Sequence, residues 1–236
     1  MKILAIESSG AKASAAILDG EALIIEKTGP FKVTHSETLM PMISECFEES
    51  SLKPEDIELI TVSGGPGSFT GLRIGSATAK GLGFALGKDI VHVPTLDAMA
   101  VNFEGSGKVI VPMMDARRSQ VYTGIYEFEG GKLNVLLAGC AMPAEELIDI
   151  INERFAGREV IFLGDGTPVF GEMISEKCTV PYEIAEGENA LQRAKSVGIL
   201  GCRLAEQGYI ISAADEAPEY LRPSQAERVR AEQSGN

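Results

Sequence analysis

The run Ser63-Gly64-Gly65-Pro66-Gly67-Ser68-Phe69-Thr70-Gly71-Leu72-Arg73-Ile74-Gly75 is the stretch of this chain most suited to chemistry. It joins an apolar run to a helical pattern, and at such a junction backbone amides and the helix dipole can hold an anion. It does not close with Gly-Lys-Ser/Thr as a Walker A loop does, and it is not G-x-G-x-x-G. A second use competes with anion binding. Gly71, Gly75, Ala79, Gly83 and Gly87 recur every fourth residue, a ridge without side-chain bulk along one helix face. Glycine inside a helix costs about 1 kcal/mol relative to alanine, so the ridge predicts close approach of another backbone. That backbone is either the chain's own sheet or a helix of a partner.

Other reactive side chains are sparse. His35 and His92 are the 2 histidines; they fall in different elements with no acidic cluster beside them, so a tightly held transition metal is not expected. Cys46, Cys140, Cys178 and Cys202 contain no C-x-x-C pair and read as reduced thiols. Ser8 and Ser68 are nucleophiles by type only, with no G-x-S-x-G elbow.

The elements that must position these residues follow an order that occurs twice. Ile3 to Ile6 reads as a buried strand before the turn Glu7-Ser8-Ser9-Gly10, and Asp19-Gly20 between two apolar runs predicts a hairpin. Thr34-His35-Ser36-Glu37 has the form of a capping box. After it Leu39, Met42, Ile43, Cys46 and Phe47 make the apolar stripe of a helix. A strand at 57–62, a helix at 71–86, a strand at 90–93 and a short helix after Pro94 complete the first half. The second half runs strand 109–113, strand 120–128, Gly130-Gly131, strand 133–138, helix 143–155, strand 160–163, a weak helix at 169–174 and a clear one at 189–206. Two βββαβα units predict an α/β fold of the actin-like ATPase class (ASKHA, duplicated RNase H-like), two lobes with a cleft between them. The expected division is an N-terminal lobe at 1–104, a C-terminal lobe at 105–221 and a polar, fraying tail at 222–236.

Composition narrows the function. Lys and Arg number 21 against 34 Asp and Glu, a net charge of −13, and both halves are acidic. Phosphate neutralisation needs clustered cations, so direct nucleic-acid binding is not expected. No apolar run approaches the roughly 20 residues of a membrane span, and the start reads as strand rather than signal peptide. The chain is expected to be soluble and cytoplasmic.

Several motifs together resemble one family. They are His35-Ser36-Glu37-x-Leu39-x-Pro41-x-Ile43, the glycine segment from Gly65 to Gly75 with Ala77-Thr78-Ala79-Lys80-Gly81-Leu82, and Asp115-Ala116-Arg117-Arg118 with Val121-Tyr122. Gly164-Asp165-Gly166 and Pro218-x-Tyr220-Leu221-Arg222 follow in order. This set resembles the TsaB (YeaZ) family over nearly the whole chain. The resemblance implies the actin-like fold and a part in making N6-threonylcarbamoyladenosine at position 37 of tRNA. In that system TsaC makes the threonylcarbamoyl-adenylate and TsaD transfers the group. TsaB pairs with TsaD through its N-terminal lobe, TsaE joins the assembly, and TsaB alone forms homodimers through the same face. The catalytic paralogue holds its metal with H-x-x-x-H; here Leu39 stands four residues after His35, so that pair is broken.

Relatives of this fold hold ATP phosphates between two hairpin turns. Here the first is Glu7 to Gly10, and the second, Asp115 to Ser119, has two arginines and no glycine. Those arginines are expected to pair with an acid such as Asp115 or Asp165, or to fill the phosphate space. The chain is therefore expected to be a non-catalytic scaffold without cofactor or metal. It would bind TsaD through His35, Leu39, Met42, Ile43, Cys46, Leu72, Gly75 and Ala79, and touch tRNA only through partners, with no membrane. A small-molecule kinase or ATPase is the alternative, and a glycoprotease-like metallopeptidase a weaker one.

Overall fold

The computed structural model describes residues 1–31 and 33–219. The motif residues Tyr220, Leu221 and Arg222 and the expected tail lie outside the described residues. The chain builds two five-stranded sheets. The first contains β1 (Lys2–Glu7), β2 (Ser14–Asp19), β3 (Ala22–Thr28), β4 (Leu59–Gly65) and β5 (Ile90–Pro94), in the order β3-β2-β1-β4-β5. The second contains β6 (Val109–Asp115), β7 (Gln120–Glu129), β8 (Lys132–Pro143), β9 (Val160–Leu163) and β10 (Tyr182–Ile184), in the order β10-β9-β6-β7-β8. Read from the third strand of each half, both orders are third, second, first, fourth, fifth. The duplication expected from element order is thus present in topology. Each half opens with antiparallel hairpins and continues with parallel strands reached through helices. Gly20 and the Gly130-Gly131 pair supply the positive φ of the hairpin turns, at 58°, 57° and 78°.

Helices α1 (His35–Ser50) and α2 (Phe69–Leu86) cover one face of the first sheet. Helices α4 (Ala144–Arg154) and α5 (Thr167–Lys177) cover one face of the second. The last helix of each half leaves its own unit. Helix α3 (Thr95–Val101) puts Leu96, Met99 and Ala100 against Ile110, Met114 and Tyr126 of the second sheet. Helix α6 (Ala194–Glu206) puts Val197, Leu200 and Cys202 against Ile3, Ala5 and Leu18 of the first.

Thus α6 and described residues after it, such as Ile211, lie against the first sheet. Gly198 and Gly201 make the approach feasible, since a Cβ at either would overlap Leu18 or Thr61 of the first sheet. The expected capping box is not closed by a side chain. Thr34 is the N-cap of α1 but makes no side-chain cap bond; its carbonyl receives the Glu37 amide at 3.0 Å.

Candidate functional site

The glycine-rich segment lies where α2 passes the first turn of the chain. Ser68 caps α2, its Oγ accepting from the Gly71 amide at 3.2 Å, and its own amide donates to the Ser9 carbonyl at 2.8 Å. A Cβ at Gly67 would come within 2.6 Å of Ser9, one at Gly71 would overlap the Ser8 carbonyl, and one at Gly75 the Ser8 hydroxyl. Farther along, Gly83 faces Ala213 and the Lys88 carbonyl. The close backbone approach predicted from the ridge therefore exists, and it is made to the chain's own first lobe.

The eight residues expected to contact a partner take their places accordingly. Leu39, Met42, Ile43, Cys46 and Ala79 belong to the core between α1, α2 and the first sheet; Leu72 is 1% exposed, and Gly75 is buried on the Ser8 turn. These seven cannot present apolar area to another chain, because their own sheet already covers it. His35 is part-buried at the start of α1, with Nε2 3.0 Å from the Gly10 carbonyl. The opposite faces of the same helices point outward. On α2 these are Ala77, Gly81 and Ala85, again every fourth residue, with Phe84 at 63% exposure. Phe69 is exposed too and carries the Arg73 guanidinium 4.0 Å above its ring. On α1 Met40 is exposed among Glu37, Pro41, Ser44 and Glu48. In the sequence this second stripe is marked by the small residues at 77, 81 and 85, parallel to the glycine ridge.

The two turns at the cleft do not fit a nucleotide's phosphates. In the first, the amides of Ser9 and Gly10 point at the carboxylate of Glu7, with Ser9 N and Oγ both 2.5 Å from its Oε1. A carboxyl of the chain itself thus fills the amide nest. Glu7 is 1% exposed, and burial pushes its carboxyl above the usual range despite these bonds. Across the cleft Gln192 closes over Gly10, where a Cβ would be 2.6 Å from its Oε1. In the second turn Arg117, Arg118 and Ser119 have φ of 64°, 55° and 57°, left-handed values that cost roughly 1–2 kcal/mol per non-glycine residue. The Asp115 carboxylate takes the Arg117 amide at 2.8 Å and its guanidinium at 3.0 Å, while the Asp115 amide serves Asp165. Here too a side-chain acid receives what a phosphate oxygen would need. Beside these turns a cavity of about 280 Å3 is lined by Lys12, Phe31, Asp165 and Gln192.

His92, Ser8 and Ser68 form no dyad with one another: Ser68 is a cap, Ser8 Oγ is buried without a hydrogen-bond partner, and His92 faces Glu216. Among the described residues no three His, Cys, Asp or Glu side chains come together as metal ligands, and no helix is long and apolar enough to cross a membrane.

Comparison with known proteins points one way. The family described as "TsaD: tRNA N6-adenosine threonylcarbamoyltransferase" matches residues 31–229. The tRNA threonylcarbamoyladenosine biosynthesis protein TsaB of Bacillus subtilis is 31% identical over 227 residues, 96% of each chain. YeaZ from Pseudomonas aeruginosa superposes with a TM-score of 0.76 at 21% identity, over 93% of this chain and 99% of that one. The ethanolamine utilization protein EutJ from Carboxydothermus hydrogenoformans shares the actin-like fold at a TM-score of 0.52 and 12% identity, over 84% of this chain and 89% of its own.

Proposed function

Because the chain belongs to the TsaB (YeaZ) family, we propose that it is a non-catalytic scaffold and dimerisation subunit in the synthesis of N6-threonylcarbamoyladenosine in tRNA. It docks on TsaD, supports the transferase there, and takes part in a larger assembly with TsaE. Alone it pairs with a second copy through the same face, and it meets tRNA only through its partners.

The observation that carries this function is the outward face of α2, where the small residues Ala77, Gly81 and Ala85 and the rings of Phe69 and Phe84 are exposed. No Cβ at Gly81 would meet any atom within 4 Å, so a partner helix can pack directly on that backbone. The cleft gives independent support, since both of its phosphate-type turns are satisfied by the chain's own carboxylates.

The test uses Gly81→Arg and Phe84→Asp, neither of which touches the core. Each is expected to abolish copurification with TsaD while leaving the melting of the isolated chain within a few degrees of wild type. A complex that survived both substitutions would rule this face out. Micromolar binding and turnover of magnesium ATP by the isolated chain would favour a kinase or ATPase instead.

A further inference from the structure

A cavity of about 260 Å3 lies on the side of α3, enclosed by the Gly65-Pro66 turn, the start of α3 and strand β8. Pro66, Leu96, Val135 and Ala138 make its wall mainly apolar. Two acids, Asp97 and the exposed Glu219, line it as well, and none of the residues that line it is Lys, Arg or His. Asp97 is held in place by its neighbour on β7. The Tyr126 hydroxyl donates to Asp97 Oδ1 at 2.8 Å, and Tyr126 is itself fully buried. Burial pushes the Asp97 carboxyl above the usual carboxylate range, and the bond from the phenol offsets only part of that.

The strands behind this pair are deformed at the same place. Thr123 pairs with Cys140 and Ile125 with Leu137, so Gly124 of β7 stands opposite both Ala138 and Gly139 of β8, a bulge. A Cβ at Gly124 would overlap the Tyr126 hydroxyl, and one at Gly139 would press on Leu96 Cδ1 at 3.2 Å. Neither glycine has a positive φ, so what they supply is room rather than backbone freedom. Glycine inside a strand weakens it and marks a place where another group comes close. Here the room is kept around the phenol and carboxyl.

A desolvated carboxylate needs an opposite charge, and the wall of the cavity supplies none. We propose that this cavity is a binding site for a primary ammonium group carried on a short aliphatic chain. Tyr126 holds Asp97 Oδ1, so Oδ2 receives the ammonium, with Glu219 as a second acid beside it. The methylenes lie on Pro66, Leu96 and Val135. A free amine and a lysyl side chain carry the same chemistry, and the test separates them. The site stands whether or not α2 is a docking face.

Methyl NMR of the full chain at fixed ionic strength reads the site directly. The ligands are n-butylammonium, n-butanol and a lysine blocked at both its amino and carboxyl ends. With n-butylammonium the Leu96 and Val135 methyls are expected to shift saturably, half-way at a concentration on the order of 1 mM, while the Ile17 methyls of the first sheet stay still. The alcohol has the same body without the charge and should bind about tenfold more weakly. Blocked lysine that matches n-butylammonium assigns the site to a lysyl side chain; n-butylammonium alone assigns it to a free amine. Asp97→Asn keeps an acceptor for Tyr126 but not the charge, and should weaken binding about tenfold. Glu219→Gln, on an exposed residue, should weaken it roughly twofold. Unmoved Ile17 methyls in each variant show that the fold is intact. No saturable shift in the wild type, equal binding of the alcohol, or wild-type affinity in both variants overturns the site.

Discussion

What a glycine contributes to this chain depends on what a Cβ would meet. At Gly71 it would meet the Ser8 carbonyl, which is backbone and cannot rotate away; at Gly81, on the same helix, it would meet nothing within 4 Å. Alanine should therefore act in opposite senses at the two sites. Gly81→Ala is expected to stabilise the isolated chain by up to about 1 kcal/mol, through helix propensity and a less flexible unfolded chain. Gly71→Ala is expected to cost about 1–3 kcal/mol by forcing α2 off the turn. Urea unfolding of both variants decides; a shift of the same sign in both would show that the turn is not pressed against the helix. Glu7 makes a second residue-level prediction. Burial raises its carboxyl above the ordinary 4.5, so the folded state holds a proton that the unfolded state has already released. Stability from this group therefore falls as pH rises from the ordinary glutamate value through the raised one. Plotted against pH, wild-type stability should show an extra downward slope in that window that Glu7→Gln lacks. Parallel curves would mean that the carboxylate is not desolvated.

At the scale of elements, order was legible and destination was not. The strands at 3–6, 57–62, 109–113 and 160–163 announced themselves as short apolar runs because central parallel strands are buried on both faces. The glycine ridge of α2 announced a close approach, yet periodicity says only that a face must be covered and not by what. Leu39, Met42, Ile43 and Cys46, expected to face a partner, pack in the chain's own core, since an apolar stripe opposite the chain's own sheet is the ordinary way to build a lobe. The same limit hid the return of α6, whose contact with the first sheet is set by residues far earlier in the chain, such as Leu18 and Thr61. Strand β10, three residues long with two of them exposed, offered no pattern at all. The α6 packing can be tested where it is tightest. Gly198 lies against Leu18 with no room for a side chain, so Gly198→Leu should destabilise the first lobe by about 1–3 kcal/mol. Exchange should then quicken in β1 and β2 and stay unchanged in α4 and β9. Equal quickening in both lobes would mean that α6 belongs to the molecule at large rather than to the first sheet.

Taken as a whole the molecule is an acid body. It carries 21 Lys and Arg against 34 Asp and Glu, and several of the described cations sit in ion pairs. Arg193 is held by Glu26 at 2.5 Å, Arg203 bridges Glu21 and Glu104 at 2.7 and 2.9 Å, and Lys108 lies 2.7 Å from Glu183. Three of these pairs also join the halves of the chain: Arg193 reaches Glu26 on β3, and Arg203 on α6 reaches Glu21 in the first hairpin and Glu104 before β6. The Asn102 side-chain amide adds hydrogen bonds to the Asn189 and Leu191 carbonyls at 2.9 Å each. Such cross-links suit a rigid platform. The excess of acid is unfavourable for an RNA backbone, whose binding strength depends on the number of phosphates neutralised and weakens with salt in proportion. The isolated chain is therefore expected to show no tRNA retention in filter binding at about 0.15 M salt, and little salt dependence in whatever residual binding low salt reveals. Adding TsaD should restore retention without this chain contributing to the salt slope. A charge-reversal variant such as Arg118→Glu tests an exposed cation of the second cleft turn, and it should leave the slope of the complex unchanged. Micromolar tRNA binding by the chain alone, or a slope that drops by about one on that substitution, would place RNA directly on this subunit and end its description as a protein-binding scaffold.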